Sequence, residues 1–392
     1  MSVSVSARRN LQWLVAAQAL GGAAPPIIIS LGGIVGQQLT DDPTLSTLPV
    51  SLYNLGLALS TLPAAWLMRR LGRRPAYLLG ALLAVLSGIL AALAIRHGQF
   101  VTFCIATAVA GFYGACVQSY RFAASDLVPP AERPRAISLI MIGGLAAAII
   151  GPQVVIWTRD SWAGVPFAGS FIGQAALALL AIPLLMALRI PRAASVIVSD
   201  GDPGRPLAAL FTDRRFVVAV IAGIVSYGLM AFIMTAAPMA MVGLEHSVDH
   251  AALGIQWHVL AMFAPSFLTG RLVSRFGAHA ITALGLLLIA LSGGAALAGL
   301  TVGHFWASLI LLGIGWNFGF IGATTLVTAV YTDAERARVQ ALNDFLVFGT
   351  VAIASFGAGH LLHSVGWQML NLAMQPLIAV VLVLLWVDAR KG

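Results

Sequence analysis

Charge is scarce in this chain: Asp, Glu, Lys and Arg make up 9% of its 392 residues, against about 25% in a soluble domain. So few ionic groups cannot clothe a water-facing surface, which excludes an ordinary soluble protein and makes lipid the main solvent. Lysine is nearly missing, Lys391 being the single one among 22 basic residues. Cysteine is limited to Cys104 and Cys116. In one helix they would stand roughly 18 Å apart, beyond the reach of a bridge, so a disulfide framework is excluded. No H-E-x-x-H, G-x-S-x-G or paired intramembrane Asp occurs. Intramembrane catalysis is therefore not expected, nor is a resident cofactor. No charged or carbonyl-rich filter segment interrupts the apolar runs, which argues for a carrier over a channel.

Apolar stretches are what the chain has in abundance. Spans need about 20 apolar residues, and twelve can be drawn: 11–38, 47–68, 75–96, 101–126, 136–158, 167–189, 216–242, 251–273, 279–299, 304–330, 339–362 and 366–387. The first is too long for the core of a signal peptide and is expected to be retained. The second six echo the first six at an offset of 205: Arg70-Leu71-Gly72 returns as Arg275-Phe276-Gly277, and Leu86-Ser87-Gly88 as Leu291-Ser292-Gly293. Ala131-Glu132-Arg133-Pro134-Arg135 returns as Ala334-Glu335-Arg336-Ala337-Arg338, at offset 203. The expected fold is an all-α membrane protein of twelve transmembrane helices in two pseudo-symmetric six-helix bundles. Residues 1–189 and 216–392 form the halves, and 190–215 is a polar, turn-rich linker. Duplication of this kind belongs to alternating-access transporters.

The net charge of +8 is topological. Arg8, Arg9, Arg69, Arg70, Arg73, Arg74, Arg133, Arg135 and the basic residues of the linker fall in loops of one parity, as do Arg271, Arg275, Arg336, Arg338, Arg390 and Lys391. Only Arg96 and Arg159 fall in the other parity, and Arg121 lies within a span. That bias places both termini in the cytoplasm and makes nucleic acid an unneeded partner. Proline and glycine mark bends, with Pro25-Pro26 interrupting the first span and Gly151-Pro152 the fifth.

The turn after the second span reads Ala65-Trp66-Leu67-Met68-Arg69-Arg70-Leu71-Gly72-Arg73-Arg74. It resembles the signature loop of the major facilitator superfamily, matching at Arg70, Gly72, Arg73 and Arg74 and departing at Ala65 and Arg69. The glycine permits a tight reversal, and the arginines either bond helix-end carbonyls as a gate or simply anchor topology.

Met230 and Met234 in the seventh span and His258 and Met262 in the eighth are each spaced i, i+4, so each pair shares a helix face. The two levels agree in depth, with Met234 and His258 each about 10–12 Å from the nearer helix end. Either these are core fillers, or the thioethers and imidazole take a soft ion such as Cu(I). M-x-x-x-M followed by H-x-x-x-M resembles the CcoA-like branch of the superfamily, copper importers of the bacterial inner membrane. That resemblance implies Met230, Met234, His258 and Met262 as metal ligands, with copper as cargo and the monomer in the bilayer as working unit. The same branch is similar to riboflavin importers, so riboflavin or another small organic solute is the alternative. For such a solute Tyr113, Gln118, Tyr120, Arg121, Trp316 and Asn317 on the fourth and tenth spans are the cavity candidates. Arg121 either snorkels to the surface or meets an anionic substrate. Asp344 either carries a coupling proton or pairs with Arg338 or Arg336.

Overall fold

The computed structural model describes residues 5–129, 132–189, 205, 207–332 and 335–391. Most of the expected linker (190–204 and 206), and Ala131 and Ala334 of the repeated segment, lie outside the described residues. All regular elements among those described are helical.

The first apolar stretch is two helices, α1 (Val5–Gly21) and α2 (Ala24–Leu39). Their break falls at Gly22 and Ala23, not at Pro25-Pro26 as expected. Both prolines sit in the first turn of α2, where backbone N–H groups have no intrahelical partner and proline costs little. Next come α3 (Leu48–Leu71) and α4 (Arg73–Arg96), separated by Gly72 alone at φ 94°, ψ 164°. The fourth span is α5 (Phe100–Gln118) and α6 (Tyr120–Asp126), and the next two are α7 (Arg133–Thr158) and α8 (Ala168–Ala187).

After the short α9 (Leu207–Thr212), the second half begins with α10 (Arg214–Gly243). Its next span is bent by 43° between α11 (Val248–Phe263) and α12 (Ser266–Phe276). Then follow α13 (Ala278–Ala298), α14 (Val302–Thr328), α15 (Arg336–Ala373) and α16 (Gln375–Lys391). Gly277 opens α13 at φ 84°, ψ 153°, so the repeated Gly72 and Gly277 share one backbone conformation closed to L side chains. A straight helix over α15 and α16 would far exceed a bilayer core of about 30 Å. Gly366, at φ 78°, ψ 174°, divides it. Among the described residues ten stretches are long and apolar enough to span, the bent α11–α12 pair is an eleventh, and this division gives the twelfth.

Two compact units result, residues 1–196 with 247–256, and residues 197–246 with 257–392. In the first, α3 packs on α5, α4 on α5 and α8, and α1 on α7; in the second, α13 packs on α14, and α10 on α14 and α15. The start of α11 groups with the first unit. Gln153 donates to Gln256 at 3.0 Å and Arg159 pairs with Asp249, a register proper to antiparallel helices. Within each half, the second and fourth spans cross at equivalent points with the small residue exchanged. A Cβ on Gly56 of α3 would lie 2.2 Å from the Ala108 carbonyl; at offset 205, a Cβ on Gly313 of α14 would lie 2.5 Å from the His258 carbonyl. Backbones can meet this closely only where one partner has no side chain.

The repeated Glu-Arg segment is used asymmetrically. Glu132 is half-exposed and lies 4.0 Å from Arg135. Its counterpart Glu335 is buried and accepts from the Arg205 backbone N–H at 2.8 Å, from Arg205 Nε at 2.9 Å and from the Thr332 N–H at 3.0 Å. The Arg205 guanidinium, then the Thr332 and Arg205 backbone N–H groups, hold the Glu335 carboxyl well below the usual carboxylate range. A depressed folded value contributes stability at every pH above the unfolded value of about 4.3, and loses it only as pH falls toward the folded one. Glu335→Gln is therefore expected to lower the melting temperature by several degrees at pH 5–8, with the deficit narrowing below about pH 4. A pH-independent deficit in a thermal melt series would contradict this assignment.

Candidate functional site

The tenth span carries the densest polar and aromatic information in the chain, at Gly315-Trp316-Asn317-Phe318-Gly319-Phe320 in α14. Successive helical residues point about 100° apart, and residues 315, 316 and 317 make three different kinds of contact. A Cβ on Gly285 of α13 would lie 2.1 Å from the Gly319 nitrogen and 2.7 Å from the Gly315 carbonyl. The i, i+4 glycines thus bring α13 and α14 into backbone contact.

One position on, Trp316 and Phe320 form the next i, i+4 pair. Their rings are near parallel, 12° between planes with centroids 5.5 Å apart. Tyr227 of α10 stands edge-on to both, at 5.2 Å from Trp316 and 5.0 Å from Phe320. Phe348 of α15 meets Tyr227 at 5.8 Å, and Phe263 of α11 meets Trp316 at 6.2 Å. Five rings from four helices thus form one aromatic wall within the second unit. Trp316 is 7% exposed, and its buried Nε1–H has no hydrogen-bond partner. The other four rings are only half-buried. A buried unpaired donor is costly, and here it stands among rings suited to a flat π-system.

Asn317, the third of the series, is a brace. Its Nδ2 donates to the Met262 carbonyl and to Ser266 Oγ, both at 2.6 Å, and Thr269 Oγ1 donates to its Oδ1 at 2.5 Å. All three partners flank the α11–α12 bend, where Pro265 interrupts the helical ladder. The amide is fully used there, which separates it from its neighbour Trp316.

The other residues singled out from sequence are dispersed. Tyr113 and Tyr120 belong to the buried core of the first unit with Tyr77, whose ring meets that of Tyr120 at 4.7 Å. Gln118 is half-buried at the end of α5. Arg121 is exposed, its guanidinium 4.9 Å from the Phe122 ring. In the loop, Arg70 covers the Trp66 ring at 5.0 Å, Gly72 makes the turn, Arg73 pairs with Asp126 of α6 at 2.5 Å, and Arg74 is exposed. Asp344 is exposed on the early turns of α15 and accepts from Asn343 Nδ2 at 3.4 Å, whereas Arg338 donates to the Arg205 carbonyl.

Met230, Met234, His258 and Met262 are all buried. His258 Nδ1 lies 2.7 Å from the Leu309 carbonyl of α14, which ties the imidazole to the tenth span; its Nε2 has no partner. Among the described residues no three His, Cys, Asp or Glu side chains converge as a metal site.

Sequence reasoning reached Trp316 and missed Tyr227, Phe263, Phe320 and Phe348. The signal that finds them is a failure of the repeat. At offset 205, Tyr227, Phe263, Trp316 and Phe320 stand opposite Gly22, Ala58, Gly111 and Ala115. Large rings in one half replace small residues in the other.

Twelve spans in two repeated halves are the architecture of a solute carrier. The model of the Major Facilitator Superfamily matches residues 13–256 and 219–392, and the chain belongs to that superfamily of secondary transporters. It is 60% identical over 383 residues to the riboflavin transporter RfnT of Brucella anthropi, covering 98% of this chain and 96% of that protein. It is 32% identical over 358 residues to the uncharacterized MFS-type transporter YdeG of Bacillus subtilis, covering 87% of this chain and 82% of that protein. Among solved structures, the nucleoside transporter NupG aligns with a TM-score of 0.74 at 13% identity, over 97% of this chain and 98% of that one. The xylose transporter XylE from E. coli aligns with a TM-score of 0.74 at 15% identity, over 98% of both chains. At such identities the likeness is one of fold.

Proposed function

We propose that this protein imports riboflavin, or a closely related flat heteroaromatic solute, by alternating access of its two six-helix bundles. It works as a monomer in the bacterial inner membrane with both termini in the cytoplasm. The observation that carries the reading is the near full-length relation, at 60% identity, to a riboflavin transporter. The aromatic wall of Tyr227, Phe263, Trp316, Phe320 and Phe348 supports it on physical grounds, since planar rings gain most from stacking on other rings. Copper, the other cargo considered, finds no support among these relatives.

Parallel uptake of labelled riboflavin and radioactive copper by expressing cells tests the proposal. Saturable riboflavin accumulation with unchanged copper is the expected result. The double variant Met230→Leu, Met234→Leu is expected to keep riboflavin uptake within about twofold, because Met and Leu exchange at nearly constant volume. Copper accumulation that rises with expression and collapses in this variant would replace the riboflavin reading with the metal one.

A further inference from the structure

We infer that Trp316, Tyr227 and Phe320 form the specificity-determining platform for the substrate's ring system, and that recognition of the ring is confined to the second unit. Trp316 Nε1–H donates to an acceptor on the ring. The inference deepens the riboflavin reading and rests on it for the chemical class.

Three independent observations converge. Geometrically, Trp316 and Phe320 lie one helical turn apart with planes 12° from parallel, and Tyr227 stands perpendicular against both. They form a near-parallel pair with a perpendicular side wall. Electrostatically, the Trp316 indole N–H is buried and unpaired. Buried donors are nearly always satisfied; of the unpaired buried atoms among the described residues, which include Trp367 Nε1, this one stands among the half-buried rings of the wall, where a ligand atom would complete the bond. A flat heteroaromatic with ring nitrogens and carbonyls supplies both the π-face and the acceptor. Finally, the repeat shows where the chain departs from its own symmetry. Tyr227, Trp316 and Phe320 stand opposite Gly22, Gly111 and Ala115 in the first half. At Gly111 an added Cβ would lie 2.3 Å from the Leu57 nitrogen, so that position is closed by the α3–α5 crossing and cannot hold a ring. Gly22 faces α7, where an added Cβ would lie 3.0 Å from the Ala147 Cβ. At Gly22 and Gly111 the first unit has helix contacts where the second unit has rings.

The inference is tested on the purified full-length protein by quenching of flavin fluorescence. The probes are riboflavin, lumichrome (the ring system without the sugar chain) and ribitol. Wild type is expected to bind riboflavin and lumichrome, and ribitol is expected not to compete. Trp316→Ala should weaken both ring-bearing probes by about tenfold or more, in line with the loss of one stacking partner. Trp316→Phe keeps a ring but lacks the N–H, and should retain quenching with a smaller loss. It also serves as the variant least disturbing to the fold, checked by an unchanged melting temperature. Unchanged affinity in both variants would overturn the platform. Should wild type ignore riboflavin yet bind lumichrome in a Trp316-dependent manner, the riboflavin reading fails and the platform stands. Failure to bind any of the ring-bearing probes would sink both.

Discussion

Gly285→Ala is expected to leave cells with little folded carrier, and whatever survives should take up no riboflavin. The added methyl would sit 2.1 Å from the Gly319 nitrogen, 2.6 Å from its Cα and 2.7 Å from the Gly315 carbonyl. These are backbone atoms, so no rotamer change relieves the clash, and α13 must move off α14. Overpacking of ordinary side chains costs about 1–3 kcal/mol, and a backbone clash belongs at the upper end of that range or above. The displacement also carries Trp316 and Phe320, which share the same two turns of α14. Gly294 of α13 provides the control, because an added Cβ there meets nothing within 4 Å. Gly294→Ala should be neutral or slightly stabilising, as alanine is the better helix former. Abundance by size-exclusion chromatography and melting temperature check the pair. Equal behaviour of the two variants would show that the α13–α14 contact is looser than described.

Asn317→Leu is expected to have the next greatest consequence: a loss of about 2–4 kcal/mol in stability and of at least about tenfold in riboflavin uptake. Leucine fills nearly the same volume but strands the Met262 carbonyl and Ser266 Oγ at the bend, while Thr269 Oγ1 keeps only its bond to the Pro265 carbonyl at 2.9 Å. Unsatisfied buried groups cost more than the bonds are worth when made. The bend sets the end of α11, where Phe263 contacts Trp316, so the aromatic wall loosens with it. Uptake in vesicles and thermal unfolding read the two effects separately. Wild-type uptake in a destabilised Asn317→Leu protein would mean that the brace serves stability alone.

Much of the architecture was legible in the residues themselves. Span number and the tandem repeat follow from hydrophobic length and from recurring Arg-Leu-Gly and Arg-Phe-Gly turns. The turns were readable because Gly72 and Gly277 must adopt a conformation no other residue tolerates. Bends were read less well. The first was expected at Pro25-Pro26, yet prolines in a first helical turn break nothing, and the break lies just before them. The Asn317 brace depends on partners far along the chain.

The candidate site was legible only in part, for a reason particular to membrane helices. In water, an apolar stripe reveals which face of a helix is inside. In lipid, all faces are apolar, and spacing alone cannot say which neighbour a face meets. Met230 and Met234 do share a face, as do His258 and Met262, but His258 turns to the Leu309 carbonyl of the tenth span. Trp316 and Asn317 are cavity candidates in the sequence because they are an aromatic and an amide on the tenth span. Adjacent helical residues point about 100° apart: Trp316 joins the rings, whereas Asn317 braces the α11–α12 bend. Tyr113 and Tyr120 sit in the first unit's core for the same reason.

What the sequence determined alone was the solvent, the twelve spans, the duplication and the superfamily, because each depends on length, hydrophobicity or a local turn. Tertiary structure decided which rings meet in one wall and which glycines serve helix contact. Those outcomes depend on the rotation of each helix about its axis, which packing sets and apolar composition leaves open.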